Sequence, residues 1–271
     1  MAAKQGYKYV IEHMEEDDDT TKVVPPWVQL EYAQMLKHAG PQSEVFFTSL
    51  SSQSAEILPK QLEEAVAKHG TPVAKAHATT TPILTLLSSA NPPIPISKVC
   101  LLDPKAERVL SPEDGEEGVF EYFLFGGILG DDPPRDRTGE LRRMGFETRH
   151  LGSVQMTTDT AERGDLVSGD NSYREFKAQA RRRTKVFCKG YRALRRHNSR
   201  AGALGVSKRI IDDKIPLDKI PYVDHPTIRF TENEAVEMPF RYIKGEDGEP
   251  ILPAGMRELL RDDLNKSFDE F

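Results

Sequence analysis

Four short runs rich in apolar and β-branched residues recur along the chain, and a fifth, more polar stretch is grouped with them as a short strand. The runs are residues 7–11, 45–50, 98–103, 119–127 and 147–151. Runs of this length and composition are typical of buried β-strands. The pattern therefore predicts five strands whose loops begin with polar or glycine residues.

Helical patterns lie between these strands. Residues 25–41 combine an initial Pro-Pro pair, apolar residues near helical spacing and Gly40, which predicts a helix ending just before that glycine. Similar signals predict helices over 59–69 and from Pro133 toward Met144. Because strands alternate with helices and are not joined by two-residue hairpins, we expect an α/β fold with a mostly parallel sheet.

Two stretches depart from this alternation. Residues 71–97 are rich in Thr, Ser and Pro and predict a long loop, with a short ordered piece at most over 83–87. Residues 244–271 predict an acidic C-terminal tail that is helical near its end. The main domain is therefore expected over residues 7–243.

Charge is distributed unevenly along the chain. Residues 164–205 hold eleven of the 37 basic and three of the 43 acidic residues, so this segment carries +8. The other 229 residues hold 26 basic and 40 acidic residues and carry −14. Nucleic acid binding depends on Lys and Arg, so the acidic part of the chain favours a basic macromolecular partner. The exception would be an enzyme that uses the +8 segment to bind RNA.

Three loops after predicted strands are candidates for chemistry. In parallel α/β sheets, ligands bind outside the carboxyl ends of the strands. The first loop follows residue 125 and reads GGILGDD, the second begins at Leu151 and reads LGSVQMTTDT, and the third reads EHMEE from Glu12. Each could also be an ordinary turn, helix cap or solvated charge run. Cys100 and Cys188 indicate neither a disulfide framework nor a metal site, and no metal is expected.

Seven strings of the chain resemble, in order, those of the SPOUT-class protein arginine N-methyltransferases that monomethylate an arginine of a small-subunit ribosomal protein. The strings are YVIEHMEE, CLLDPKA, FLFGGILGD with PPRDRTGELR, LGSVQMTTDTA, KIPLDKIPYVDHP, NEAVEMPFRY and PILPAGM. The resemblance covers most of residues 7–163 and 206–260. It implies S-adenosylmethionine as cofactor and a deep trefoil knot in the C-terminal part of the domain, which no sequence periodicity could show.

The resemblance also implies which residues contact the cofactor. In SPOUT enzymes the cofactor lies bent among the knot loops, which correspond here to residues 126–131 and 151–159. Asp132 stands where a His is common in the family, so no role is assigned to it. The expected cofactor contacts are Gly126, Gly127, Ile128, Leu129, Gly130, Leu151, Gly152, Gln155, Met156 and Thr157.

An arginine acceptor requires carboxylates, because the guanidinium is a weak nucleophile that stays protonated at neutral pH. A carboxylate can orient the guanidinium and take its proton afterwards. Glu12 and Asp131 are expected to do this catalytic work, with Glu15, Asp136 and Arg241 contacting the substrate.

Each of the substrate contacts also has a simpler interpretation. Asp136 could merely pair with a neighbouring arginine, and Glu15 could face solvent, as we expect Glu16 to do. Arg241 could bind one of the acids or the cofactor carboxylate. Alternatively, it could only hold the C-terminal segment against the rest of the domain.

The 164–205 segment interrupts the resemblance. Without it, TTDTAER would join VSKRIIDD and read as one amphipathic helix. The segment could be an RNA- or ribosome-binding arm, a disordered insertion without a role, or translated intron sequence. A SPOUT RNA methyltransferase acting on rRNA or tRNA therefore stays an alternative function, as does an inactive module that binds ribosomal protein.

The expected partner is a basic protein of the small ribosomal subunit. We expect a monomer in the cytoplasm without contact to a membrane, and contact with nucleic acid only through residues 164–205. No apolar run approaches the roughly 20 residues that a membrane-spanning helix needs.

Overall fold

The computed structural model describes residues 6–13, 17–18, 20–67, 70–126, 138–152, 200–231, 234–238 and 240–269. Its centre is a six-stranded sheet in the order β3-β2-β1-β5-β4-β6, and every pairing in it is parallel. The prediction of an α/β fold with a mostly parallel sheet is thus confirmed. The strands are β1 Lys8–Glu12, β2 Glu44–Thr48, β3 Lys75–Ala78, β4 Val99–Leu102, β5 Tyr122–Phe125 and β6 Glu147–Arg149.

Six helices accompany the sheet in the described part of the chain. They are α1 Pro26–Ala39, α2 Ser52–Ala67, α3 Ile83–Ser89, α4 Thr138–Arg143, α5 Arg200–Ile211 and α6 Met256–Asp269. Helix α1 begins and ends as predicted, with the amide of Gly40 donating to the carbonyl of Leu36. None of these helices is long and apolar enough to cross a membrane.

Both faces of the sheet are covered, so its central strands are apolar on both sides. In β1, Tyr9 and Ile11 belong to the larger core cluster, together with residues of α1, α2 and α5. Val10 points to the other face and packs with Ile83 of α3 and Leu141 of α4. This alternation follows from the two-residue period of a strand.

The stretch 71–97 is more ordered than the predicted long loop, because it contains β3, which was not predicted. Helix α3 agrees with the short ordered piece expected over 83–87. Strand β3 is at the edge of the sheet and its residues are half-buried or exposed, so it lacks the apolar signature of the central strands. Helix α2 begins seven residues before the predicted start at Pro59, which lies inside it. The hydroxyl of Ser51 accepts a hydrogen bond from the amide of Ser54 and so caps the N-terminus of α2.

Helix α5 begins at Arg200, inside the segment predicted as an insertion. Its first turns are packed: Ala201 and Leu204 are almost completely buried, and the amide of Ala201 donates to Glu31 of α1 at 3.1 Å. A Cβ on Gly205 would lie 3.0 Å from Cγ of His38, so glycine allows α5 to approach α1 closely. Residues 200–205 therefore belong to the packed body.

The C-terminal part adds a third core cluster. Two short antiparallel pairs join β7 Tyr222–Asp224 to β10 Arg241–Ile243, and β8 Thr227–Arg229 to β9 Ala235–Glu237. Helix α6 confirms the predicted helix near the C-terminus, but its residues Met256 and Leu260 are buried in this cluster. The described residues 244–262 are therefore packed on the domain, because α6 contacts it through these side chains.

Candidate functional site

The carboxyl ends of the parallel strands place two predicted site residues side by side. Glu12 is the last residue of β1, and Gly126 directly follows β5. Ile11 and Phe125 are register partners in the sheet, so the residues that follow them, Glu12 and Gly126, are neighbours at its edge. A Cβ on Gly126 would lie 3.4 Å from Oγ1 of Thr138, at the start of α4.

Glu12 is held by three hydrogen-bond donors. The hydroxyl of Thr48 donates to Oε2 at 2.5 Å, the amide of Ile83 donates to Oε2 at 3.2 Å, and the hydroxyl of Ser49 donates to Oε1 at 2.5 Å. The residue is only 6% exposed. A carboxylate fixed by several donors keeps one orientation, as an acid that grips a substrate must.

Thr48 and Ser49 were not among the residues predicted from the sequence. They end the apolar run VFFTSL, where two consecutive hydroxyl residues follow a strand. That position at the carboxyl end of a parallel strand is a signal that could have identified them. The neighbouring His13 is also buried, and its Nδ1 lies 2.7 Å from the hydroxyl of Tyr32.

A cleft of about 550 Å³ opens at the same edge of the sheet, beside β4 and β6. It contains Leu151 and Gly152 of the predicted cofactor loop. Gly152 has a φ of +92°, which favours glycine, and its amide donates to Nδ1 of His150 at 3.0 Å. The remaining lining residues are Val109, Leu110, Ser111, Pro112, Pro216, Leu217, Asp218, Tyr222 and Arg241.

Pro216 and Leu217 belong to the string KIPLDK, for which the sequence predicts no role in the site. The structure places this turn opposite Gly152, because a Cβ there would lie 3.4 Å from Cδ2 of Leu217. The cleft is therefore formed by loops that are far apart in sequence, which sequence spacing alone could not show.

Arg241 lies at the cleft and is paired with Asp224. Its Nε and Nη2 donate to the two carboxylate oxygens at 2.6 and 2.8 Å, which raises the pKa of Arg241 and lowers the pKa of Asp224. The guanidinium carbon also lies 4.8 Å from the ring centre of Tyr222. Among the described residues, these contacts join β10 to β7. The expected contact of Arg241 with the substrate stays a prediction.

Tyr222 provides a hydroxyl at the cleft. Burial raises the pKa of this hydroxyl to about 12, so it is a donor at neutral pH. The oxygen is buried and has no hydrogen-bond partner among the described residues. Buried hydroxyls normally have one, so this oxygen is suited to meet a bound molecule.

The other predicted site residues lie outside the described residues. They are Asp131, Glu15, Asp136, Gly127, Ile128, Leu129, Gly130, Gln155, Met156 and Thr157. In the part of the chain that is described, no group of His, Cys, Asp and Glu side chains is arranged to hold a metal ion.

Known proteins resemble this chain over almost its full length. The model of the SFM1-like protein arginine N-methyltransferase family matches residues 8–171 and 167–267. The protein arginine N-methyltransferase SFM1 of Saccharomyces cerevisiae is 35% identical over 266 residues, which cover 97% of this chain and 98% of the yeast protein.

Crystal structures of the yeast arginine methyltransferase SFM1 show the same architecture. The complex with SAM has a TM-score of 0.66 at 32% identity and covers 96% of this chain and 92% of the crystallised chain. The complex with SAH has a TM-score of 0.63 at 33% identity, with coverage of 93% and 94%. The chain therefore belongs to the SFM1-like family of protein arginine N-methyltransferases.

Proposed function

We propose that this protein uses S-adenosylmethionine to monomethylate an arginine of a basic small-subunit ribosomal protein. Methylation of protein arginine is the activity after which its family is named. The observation that carries the proposal is the presence of a ligand-sized cleft and a fixed, buried carboxylate at one edge of the sheet.

The cleft fits S-adenosylmethionine in size and in chemistry. About 550 Å³ lies within the range of roughly 300–1,000 Å³ that is usual for sites of small organic ligands. Leu110, Leu151 and Leu217 supply apolar walls, while Tyr222 and Arg241 supply polar groups for a charged end. The yeast relative crystallised with SAM and with SAH supports this assignment.

The SPOUT class and its trefoil knot belong to the same proposal. The resemblance of the chain to SPOUT enzymes supports them, together with the parallel sheet and with a cleft formed by the loops after β6 and α5. A knot would hold these two loops against each other without a covalent link. A crystal structure in which the chain is traced from β6 to α5 tests this point.

Charge supports a basic protein as the substrate. With Arg200 counted in the packed body, the chain outside 164–199 holds 27 basic and 40 acidic residues, a net charge of −13. Such a surface attracts a basic polypeptide and repels the phosphates of RNA. We propose that the enzyme acts as a monomer in the cytoplasm. Any contact with rRNA would occur through the basic residues of 164–205.

The reaction is an in-line displacement. S-adenosylmethionine, when bound, would supply a methyl group carried on a positively charged sulfur. The guanidinium nitrogen would bond to the methyl carbon while the carbon–sulfur bond breaks, and S-adenosylhomocysteine would leave with the electron pair of that bond. Glu12 would orient the guanidinium through Oε1, which accepts a hydrogen bond from Ser49, whereas Oε2 accepts hydrogen bonds from both Thr48 and Ile83. Positioning of this kind removes much of the entropic cost of the reaction. Glu12 Oε1 would then receive the proton that the nitrogen loses.

Glu12 and the cleft are separated along the sheet edge. Strands β5 and β4 lie between β1 and β6, so Glu12 is roughly 14 Å from the β6 end, at about 4.8 Å per strand. The substrate arginine would therefore approach from the β1 side, and the cofactor would extend from the β6 side. This arrangement keeps the acceptor and the donor on opposite sides of the reacting carbon, as an in-line displacement requires.

An assay with labelled S-adenosylmethionine, separated small-subunit ribosomal proteins and rRNA tests the function. Mass spectrometry should find a single methyl group on an arginine of one basic protein. Methyl appearing only in RNA would establish the RNA methyltransferase alternative. Binding of ribosomal protein without binding of S-adenosylmethionine in calorimetry would establish an inactive module.

A matched pair of variants tests the site. Glu12→Gln should lower kcat/KM for the protein substrate on the order of 100-fold without changing the affinity for S-adenosylmethionine. Glu44→Gln is the control, because Glu44 begins β2 at the opposite edge of the sheet and pairs with His77 at 2.6 Å. Full activity of the Glu12 variant would show that another group binds the arginine.

A further inference from the structure

Ser49 adopts a backbone conformation that disfavours its own residue type. Its φ is +55°, in the left-handed region that glycine enters freely and other residues enter at a cost. It directly follows β2, which ends at Thr48, and so lies at the carboxyl edge of the sheet. Strained residues at such edges frequently serve a binding or catalytic group.

The left-handed turn makes two consecutive hydroxyls converge on one carboxylate. Consecutive residues of an extended strand point to opposite faces, so Thr48 and Ser49 could not both reach Glu12 from a continued strand. With the turn at Ser49, Thr48 donates to Oε2 and Ser49 donates to Oε1. The amide of Leu50 then donates to the carbonyl of Thr79 at 3.1 Å, which fixes the chain after the turn.

Capping of α3 does not require this turn. The amide of Ile83, the first residue of α3, donates to Oε2 of Glu12, and Thr48 holds that same oxygen. Ser49 acts on the other oxygen, Oε1, which plays no part in the cap. A carboxylate oxygen accepts about two hydrogen bonds, so Oε1 can accept a second donor beside the Ser49 hydroxyl.

We propose that Ser49 is a positioning residue whose strained backbone aims Oε1 of Glu12 at the substrate guanidinium. This inference rests on the proposed function, in which Glu12 binds the arginine. The strain lowers the stability of the fold, and the hydroxyl it places improves binding of the acceptor. Among variants that lack the hydroxyl, relief of the strain should therefore raise stability without restoring activity.

Ser49→Gly and Ser49→Ala separate the backbone from the hydroxyl. The glycine variant should have a higher Tm than the alanine variant, because both lose the hydroxyl and glycine alone accepts a positive φ freely, and its kcat/KM for the protein substrate should fall on the order of tenfold from the wild-type value. The alanine variant should lose a similar factor in kcat/KM and have a lower Tm than the glycine variant. Both should bind S-adenosylmethionine with unchanged Kd.

Two further variants sharpen the comparison. Ser49→Asn should recover part of the lost kcat/KM, because Asn tolerates a positive φ and its amide can donate to Oε1. Lys22→Gly is the control for strain alone, since Lys22 is exposed with a φ of +57°. It should raise Tm without changing kcat/KM.

The outcomes distinguish this inference from the proposed function. A glycine variant that is more stable and fully active would overturn the role of Ser49 while leaving that of Glu12 intact, provided that Glu12→Gln is impaired. A glycine variant no more stable than the alanine variant would overturn the strain argument. Full activity of Glu12→Gln would remove the basis of both.

Discussion

Gly152 and Leu217 face each other across the cleft, with 3.4 Å between Cδ2 of Leu217 and the position that a Cβ on Gly152 would take. Gly152 follows β6, and Leu217 follows α5, so the two sides of the cleft come from chain segments 65 positions apart in number. The distance between Gly152 and Leu217 limits the width of the cleft at this point. Any side chain at position 152 should therefore affect ligand binding and backbone strain together.

Gly152→Ala should weaken binding of S-adenosylmethionine about tenfold, which is roughly 1.4 kcal/mol. The added methyl group would narrow the cleft against Leu217, and the φ of +92° would cost roughly 1–2 kcal/mol of folding stability. Calorimetric titration and thermal unfolding measure the two effects.

Gly145→Ala is the matched control for that substitution. Gly145 has a φ of +86° and no atom within 4 Å of a Cβ placed on it. The Gly145→Ala variant should lose about as much folding stability as Gly152→Ala while keeping the wild-type affinity for S-adenosylmethionine. If the wild type, Gly152→Ala and Gly145→Ala bound S-adenosylmethionine with equal affinity, the cleft beside Gly152 would not hold the cofactor.

Tyr222→Phe should weaken cofactor binding by up to about tenfold, because the loss of one hydrogen bond costs about 0.5–1.5 kcal/mol. Folding stability of the free enzyme should stay the same or rise, since the hydroxyl is buried without a partner among the described residues. The control is Tyr242→Phe, whose hydroxyl is likewise buried but belongs to the third core cluster. Unchanged Kd in the Tyr222 variant would contradict a direct contact.

The sequence predicted the sheet well where strands are buried on both faces. The central run around Val10 and the run around Leu101 are continuously apolar and became β1 and β4. It failed at β3, because the half-exposed residues of an edge strand, such as His77, carry no apolar pattern. The predicted start of α2 was also wrong. Proline is typical of the first turn of a helix, but Pro59 lies inside α2.

The candidate site was predictable only in part, for a related reason. Residues at the ends of apolar runs, such as Glu12 and Gly126, could be assigned to one edge once a parallel sheet was expected. The pairing of Arg241 with Asp224 and the position of Leu217 opposite Gly152 depend on how the C-terminal segments pack. No periodicity in the sequence reports that packing.

Leu204→Ala tests whether residues 200–205 are part of the fold. Leu204 is completely buried in the main core cluster, so the substitution should lower the free energy of unfolding by roughly 2–5 kcal/mol. Leu84→Ala is the control, because Leu84 is 37% exposed and should lose less than about 1 kcal/mol. Urea unfolding measures both. A Leu204 variant with unchanged stability would show that residues 200–205 do not contribute to the fold.

His38 should make the fold sensitive to mildly acidic pH. Its side chain lies between α1 and α5, next to Gly205, and burial together with the nearby Arg209 lowers its pKa to about 4. In the unfolded chain the pKa of histidine is about 6.5. Between these values the unfolded chain binds more protons than the folded protein, so folding stability is complete above pH 6.5 and falls as the pH decreases toward 4.

His38→Asn should remove this contribution, which we expect to be roughly 1–3 kcal/mol between pH 6.5 and pH 4. Denaturant unfolding at a series of pH values gives the difference between variant and wild type, in which the shared carboxylates cancel. His225→Asn is the control, because His225 is exposed and asparagine tolerates its φ of +47°. If the wild type and the His38 variant lost stability in parallel as the pH decreased, the packed His38 would not be the group that titrates.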